Sequence, residues 1–348
     1  MGYYRAFSLS TAGASHIKNC MPCQDASHDN DNWRNGSDCS EKNVYIAAVA
    51  DGHGSPQYFR SDIGSRVAVE TTFKGFNAFI DHCANNTDAF IAGNGKELLS
   101  RLAKYIISSW YTSVLEDALV HPLAEDERIR EIDQKYRDNY LNDPEHQNFS
   151  HAYGSTLIAI AMSDEYWFGM QIGDGKCVVL YEDGSWDQPI PWDDQCFLNA
   201  TTSICDDGAI DEFRYWYGFQ KSDGTFCEYR YGADGQMKDS INESASRPIA
   251  IFIGTDGVDD TFPMYDNENY LKFLYQNILL QYIDKGYDEM KIQVLKLVEK
   301  IAEQGSRDDV SIAGIIGDLH LHAGLIDSLR SHDNMSSPSS DENIDASE

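Results

Sequence analysis

The chain has 348 residues, enough for one large domain or two ordinary ones, and its 42% hydrophobic content suits a globular core and excludes a wholly disordered chain. It carries 57 acidic against 27 basic residues, a formal charge of −30. That balance argues against a binder of nucleic acid or of an anionic membrane, since either needs a basic face.

Gly2 to Ser10 lacks the apolar run of a secretory signal, and no apolar stretch approaches the roughly 18 residues of a membrane span. A cytoplasmic protein is expected, with its eight scattered cysteines read as reduced thiols. Cys20-Met21-Pro22-Cys23 is a lone C-x-x-C without a second pair at zinc spacing.

Tyr3 to Thr11 alternates loosely and ends at Ala12-Gly13, which predicts a first strand and a turn. Residues 14–43 read as polar and irregular. Within them Asp29-x-Asp31 hints at a calcium loop, but Arg34 stands where an EF-hand loop needs glycine. Val44 to Ala50 is a mostly apolar run, a buried strand, and it stops at Asp51-Gly52-His53-Gly54. A carboxylate at the end of a rigid strand can hold a cation. The glycines let backbone carbonyls approach that cation. His53 can move a proton near neutral pH. The plainer alternative is a Gly-rich strand-to-helix turn with Asp51 as N-cap and His53 on the surface.

Helical spacing follows from Ile63 to Ile80 and again over 96–120. Residues 124–141 are charged and helix-prone, a solvated face, and Pro144 ends them. Residues 155–161, 166–172 and 176–181 read as three strands of one antiparallel meander, turning at Ser163-Asp164-Glu165 and Gly173-Asp174-Gly175. Residues 186–247 show no long period and read as irregular loops and short strands, a lid over a site. Ile249 to Gly257 repeats the opening device, an apolar strand delivering Asp256 before a glycine. Two helices are predicted at about 266–284 and 288–304, the second with Met290, Val294, Leu297, Val298 and Ile301 on one face. Gly305-Ser306-Arg307-Asp308-Asp309 then leads into a last strand, 310–316. The Ser/Asp/Glu-rich end is expected to be disordered.

Asp51, Asp256 and Asp308 therefore sit at the ends of separate strands, with Asp174 in a strand turn and Asp25 near the first. Converging carboxylates repel unless cations lie between them. All-oxygen sets suit Mg²⁺ or Mn²⁺ over zinc. Two such ions about 3.5–4 Å apart activate a water and polarise a phosphoryl group. Each acid alone could equally be an ordinary turn residue.

Gln24-Asp25, Asp51-Gly52-His53-Gly54, Gly154-Ser155-Thr156, Gly173-Asp174-Gly175, Thr255-Asp256-Gly257-Val258-Asp259-Asp260 and Gly305-Ser306-Arg307-Asp308-Asp309-Val310-Ser311 occur in that order over about residues 5–318. In this the chain resembles the metal-dependent Ser/Thr protein phosphatases of type 2C, the PPM family. The resemblance implies an α+β fold, an α-β-β-α sandwich of two mainly antiparallel sheets flanked by helices. It implies one phosphatase domain over 1–325, with an insertion at about 81–150 and a flap at about 186–247. A disordered acidic, Ser-rich tail would follow over 326–348.

The resemblance further implies hydrolysis of phosphoserine and phosphothreonine on proteins with two Mn²⁺ or Mg²⁺ ions. Asp51 would bridge both ions, the Gly52 carbonyl and Asp25 would serve the second, and Asp256 and Asp308 the first. Asp174 and Asp260 would hold a third, weaker ion, and His53 would be the general acid. The implied partner is a phosphorylated protein, a Ser/Thr kinase or one of its targets. The chain departs from the family pattern at Cys20, where a phosphate-gripping arginine is usual. His16, Lys18 and Arg34 are the candidate substitutes. The alternatives are a catalytically idle binding or regulatory relative and a small-molecule phosphoester hydrolase.

Overall fold

The computed structural model describes residues 4–31, 44–83, 94–142, 148–196, 200–233, 235–319 and 322–333. Its most apolar strands are covered on both faces, and that makes two stacked sheets. One sheet has the order β1 (Arg5–Thr11), β12 (Val310–Ile316), β11 (Pro248–Gly254), β6 (Lys176–Tyr181) and β7 (Trp186–Asp187). The other has the order β10 (Met237–Ala245), β9 (Phe226–Tyr231), β8 (Arg214–Gln220), β5 (Tyr166–Ile172), β4 (Leu157–Met162), β3 (Tyr45–Ala50) and β2 (Ala26–Asp29). All the strand pairs are antiparallel.

β3 shows why such a strand reads as a continuous apolar run. Tyr45, Ala47 and Val49 point into the layer between the sheets, against Ile158, Ile253 and Ile315. Ile46, Ala48 and Ala50 point the other way, under the helices α2 (Ser61–Cys83) and α3 (Gly95–Val120). A period of two serves both faces, and each face is dry. On the far side of the molecule, α7 (Asn267–Lys285) and α8 (Tyr287–Gln304) cover the first sheet, with Met290, Val294, Val298 and Ile301 buried as one helical stripe. The layers are therefore α-β-β-α, as expected from the resemblance. Among the described residues no helix is long and apolar enough to cross a membrane.

Four expectations need correction. The stretch 14–43 is not irregular throughout, because it forms α1 (Ala14–Lys18) and β2. The segment 155–181 is not one meander. β5 pairs with β4 and β8, whereas β6 pairs with β11 and β7, so the chain changes sheets at Gly173-Asp174-Gly175. Gly173 has φ +100°, and a Cβ on Gly175 would lie 2.5 Å from the Gly254 carbonyl oxygen. These glycines permit the tight crossing, and turn composition alone does not separate a crossing from a hairpin.

Most of the supposed lid is sheet. β8, β9 and β10 extend the larger sheet, leaving 188–196 and 200–208 as irregular segments before the short α5 (Ala209–Glu212). Arg-Tyr-Trp-Tyr-Gly-Phe in β8 is buried on both faces, so its aromatic run shows no alternation of polarity. The stretch 124–141 is only partly solvated. It holds 3₁₀ turns and α4 (Gln134–Leu141), and it buries Ile129, Ile132 and Tyr140. The buried Arg60 guanidinium ties it to α2 and α3 through Asp126 at 3.0 Å and Asp117 at 3.1 Å.

Toward the C-terminus, α9 (Ala323–Asp333) spans the expected boundary at 325. Leu329 lends its carbonyl to Gln276 on α7 at 2.7 Å. The rest of the expected tail lies outside the described residues, as do Arg34 and Pro144.

Candidate active site

The acids converge at one end of the sandwich. Asp51 follows β3, and Asp256 opens α6 (Asp256–Asp259) directly after β11. Asp25 precedes β2, Asp308 precedes β12, and Asp174 sits in the sheet crossing. Two main-chain contacts knit these ends. The Gly52 amide donates to the Gln24 carbonyl at 3.1 Å, and Gly52 bridges to Ser155. A Cβ on Gly52 would lie 2.6 Å from the carbonyl oxygens of both Gln24 and Ser61, so close backbone approach requires glycine here.

Asp25, Asp51, Asp174, Asp256, Asp260 and Asp308 form one electrostatic cluster. It runs from buried Asp25, through half-buried Asp51, Asp174 and Asp256, to exposed Asp260 and Asp308. Burial, then the charges of Asp256 and Asp25, hold Asp51 well above the usual carboxylate range. Burial chiefly does the same for Asp25, with Asp309 and Asp256 adding to it. Asp256 is pushed up to about 7 by burial and by Asp174, with Asp260 and Asp308 behind it, and it shares a hydrogen bond with Asp51. Asp174 and Asp260 are raised too, each by burial first. Carboxylates that must share protons to coexist are the signature of a site lacking positive charge.

The donor set fits a hard cation. Every candidate ligand atom is an oxygen. Asp25 spends one oxygen on the Thr255 hydroxyl at 2.8 Å, while its other oxygen, Oδ1, is buried without a hydrogen bond. Oδ1 of Asp259 is in the same condition, and that carboxyl is pushed up to about 8 by burial, against the opposing pull of Lys176. Buried acceptors left bare are costly unless something cationic meets them.

His53 lies beside this cluster. Its amide donates to the Gly154 carbonyl at 3.1 Å, and its ring packs edge-on against Tyr58 at 4.6 Å. A Cβ on Gly154 would lie 2.6 Å from the ring, so that glycine makes its room. Burial lowers its pKa to about 4, so the imidazole is neutral at pH 7 in the ligand-free protein.

The three cation candidates divide. His16 is buried near the site. Its Nδ1 is 2.8 Å from Asp309 and its Nε2 3.8 Å from Asp308, and the bond to Asp309, more than any other influence, raises its pKa. Lys18 is exposed at the end of α1. Cys20, at the usual arginine position, is exposed with φ +54°.

Sequence reasoning missed four residues. Asp309 ties together the segments before α1 and β2, accepting from the Gly13 amide at 2.7 Å, the Gln24 amide at 2.5 Å and His16. Burial opposes its ionisation, but these donors outweigh burial and hold its pKa low. Lys176, with its ammonium 3.5 Å from the Trp192 ring centre, supplies a positive charge near Asp259 and Asp174. Buried Arg214 donates to the Gly173 carbonyl and, at 3.0 Å, to the Pro191 carbonyl, tying β8 and the flap to the crossing that carries Asp174. Asp259 was quoted in a motif without a role. Its acid run was the only signal available. Lys176 and Arg214 become visible only when the sheets are assembled.

A sandwich whose strand ends deliver clustered carboxylates, two of them with a bare buried oxygen, defines the class: an all-oxygen centre whose donor set fits a hard divalent cation. The chain belongs to the protein phosphatase 2C family, whose profile matches residues 12–285. No curated protein sequence matches it. Among solved structures it is similar to PppA, described as a key regulatory component of T6SS in Pseudomonas aeruginosa, at 14% identity and a TM-score of 0.45, over 91% of this chain and 98% of that one. It is similar to the catalytic domain of the serine/threonine phosphatase PstP in complex with two manganese ions, at 13% identity and 0.44, over 91% and 99%. RsbX in complex with magnesium matches at 11% and 0.39, over 91% and 100%.

Proposed function

We propose that this chain hydrolyses phosphoserine and phosphothreonine on proteins with the help of two Mg²⁺ or Mn²⁺ ions. The observation that carries this reading is the cluster of Asp25, Asp51 and Asp256, raised together and left with a bare buried oxygen. Its chemical class, phosphate ester hydrolysis, comes from the family match. Protein substrates follow from the same match, and a kinase or one of its targets is the partner we propose.

Asp51, Asp256, Asp25 and Asp308, with the Gly52 carbonyl, would hold the two ions. When bound, these ions supply Lewis-acid stabilisation of phosphoryl oxygens and make water a nucleophile near neutral pH. No nucleophilic serine or cysteine is then required. His53 is placed to pass a proton to the leaving oxygen. The ring starts neutral, so it can donate only after the negative charge of a bound phosphate monoester raises its pKa. His16 is the basic group we assign to the phosphate, since of the described candidates it alone sits beside Asp308. Asp174 and Asp260 would hold a third ion in competition with the charge of Lys176. We take the domain to extend through 333 and the protein to work in the cytoplasm.

The test is phosphothreonine-peptide hydrolysis with Mn²⁺, with EDTA and with Asp256→Asn, beside a panel of small phosphate esters. Mn²⁺-dependent release that collapses in the variant supports the proposal. Preference for the small esters would make it a small-molecule hydrolase. An inactive wild type that still binds Mn²⁺ by calorimetry would make it a regulatory relative.

A further inference from the structure

The acidic cluster is not the only place where ligand-bearing side chains meet. His151 lies in the 3₁₀ turn Phe149–Tyr153 that leads into Gly154, whereas Cys205 and Asp206 lie in the flap. One donor atom from each falls within 4.8 Å of the other two. The Cys205 sulfur is 3.8 Å from His151 Nδ1 and 3.9 Å from Asp206 Oδ1. Bond lengths of about 2.3 Å to sulfur and about 2.0–2.1 Å to nitrogen or oxygen set the edge of a tetrahedral zinc site at about 3.5 Å. The two edges at sulfur need to close by only a few tenths of an ångström, and the nitrogen-to-oxygen edge lies within 4.8 Å.

The Cys205 sulfur also meets the Ser203 hydroxyl at 3.2 Å, a partner suited to a metal-bound thiolate. Asp206 uses its other oxygen, Oδ2, to accept from the Ser203 amide at 2.8 Å, which fixes the carboxylate and leaves Oδ1 facing the sulfur. Cys205 is buried, so its sulfur is withdrawn from bulk solvent and from large reagents. A nucleophilic thiol reading fails on two counts. The sulfur has no access for a substrate, and the aspartate meets the thiol rather than the far side of the imidazole.

We propose that His151 Nδ1, Cys205 Sγ and Asp206 Oδ1 form a second cation site, filled by Zn²⁺, that staples the flap to the wall of the candidate active site. The mixed sulfur, nitrogen and oxygen set selects zinc over Mg²⁺ or Mn²⁺, which prefer all-oxygen ligands. Three protein ligands leave the fourth position for water. Binding displaces the thiol proton to solvent and leaves a thiolate on the metal.

The staple is one step from the chemistry. Ser203, which holds Asp206, also exchanges hydrogen bonds at 3.1 Å with both the amide and the carbonyl of Ser155, the residue bridged to Gly52. Tyr58 lies within electrostatic reach of Cys205 and Asp206, and its ring is the one packed on His53. The inference stands apart from the phosphatase proposal, because its test reads metal and flap rather than turnover.

The experiment uses the full chain with excess Mg²⁺ to occupy the all-oxygen centre, titrated with Co²⁺ and then Zn²⁺. The expected result is a thiolate-to-cobalt charge-transfer band in the near ultraviolet, abolished by Zn²⁺. Cys205→Ser should remove the band, and Cys23→Ser should keep it. His151→Gln should weaken binding by roughly 100-fold or more, beyond what loss of an outer-sphere partner costs. Zn²⁺ should also slow amide exchange over 200–212 in the wild type but not in His151→Gln. Near-ultraviolet circular dichroism checks that each variant is folded. If Cys205→Ser does not fold, the half-buried His151 decides the matter. Absence of the band in the wild type, or its survival in Cys205→Ser or undiminished in His151→Gln, overturns the proposal.

Discussion

Buried Asp309 and half-buried Asp256 both stand at strand ends of the same sheet, yet their pKa values move in opposite directions. Asp309 meets two backbone amides and the His16 imidazole. Asp256 meets other carboxylates. A carboxylate answered by the protein's own donors belongs to the scaffold. One answered only by like charge is waiting for a cation from outside. Asp174, Asp259 and Asp260 fall between the two, because Lys176 partly answers them.

The sharpest way to break that comparison is Asp51→Asn. It should cut Mn²⁺-dependent phosphate release by on the order of 10³-fold or more, since both ions are assigned to this carboxylate. In EDTA the same variant should melt higher than the wild type, because it removes a repelling charge from the cluster. Loss of activity accompanied by loss of metal-free stability would instead make Asp51 a scaffold residue like Asp309. His53→Gln should lower turnover by about 10²-fold while leaving Mn²⁺ affinity by calorimetry unchanged. A matching fall in Mn²⁺ affinity would show that His53 supports the metal site rather than moving a proton.

Asp309→Ala should act in the opposite sense to Asp51→Asn. It strands His16 and the Gly13 and Gln24 amides, so urea unfolding should show a loss of about 3 kcal/mol, the cost of breaking a buried charged network. The loss should be the same with and without Mn²⁺. A variant as stable as the wild type would mean that His16 and the two amides are satisfied without Asp309.

These contrasts also explain what the sequence could and could not reveal. Strands β3, β11 and β12 were legible because a run buried on both faces is uniformly apolar, and their terminal acids stood out against it. The helical stripe of α8 was legible from its period of 3.6. The sheet change at Gly173-Asp174-Gly175 was not, because strand pairing is a long-range choice that turn residues do not encode. β8 was hidden by aromatic side chains that fill both faces. At the site, residues at strand ends were visible, but the partners that sort scaffold from ligand were not. Asp308 and Asp309 are neighbours in sequence with equal chemistry. Only the fold brings His16 and two amides to Asp309 and leaves the Asp308 side chain 61% exposed.

The smallest effect is the pH dependence of stability, and its sign is specific. Asp256 has its pKa raised to about 7 from an ordinary 3.8. Its contribution is therefore fully present below pH 3.8 and is lost as pH rises through 7. Asp25 and Asp51 are raised for the same reasons and act in the same sense. His53 acts oppositely. Depressed to about 4, it contributes fully above its ordinary 6.5 and loses that contribution as pH falls through 4. Above pH 6.5 His53 has nothing more to add, whereas His16, raised by its bond to Asp309, loses its contribution with rising pH in the same sense as the carboxylates, so the part of the slope that Mn²⁺ removes is what reports the acidic cluster. In EDTA, stability should fall between pH 6.5 and 8 by up to about 1.4 kcal/mol per pH unit for each proton released. Saturating Mn²⁺ replaces those protons, so the slope should flatten and the stabilisation by Mn²⁺ should grow with pH. Urea titrations at pH 6.5, 7.2 and 8 with and without Mn²⁺ measure both. A Mn²⁺ stabilisation that is constant over this range would mean that the carboxylates are already ionised and compensated within the protein, and the distinction between Asp256 and Asp309 would collapse.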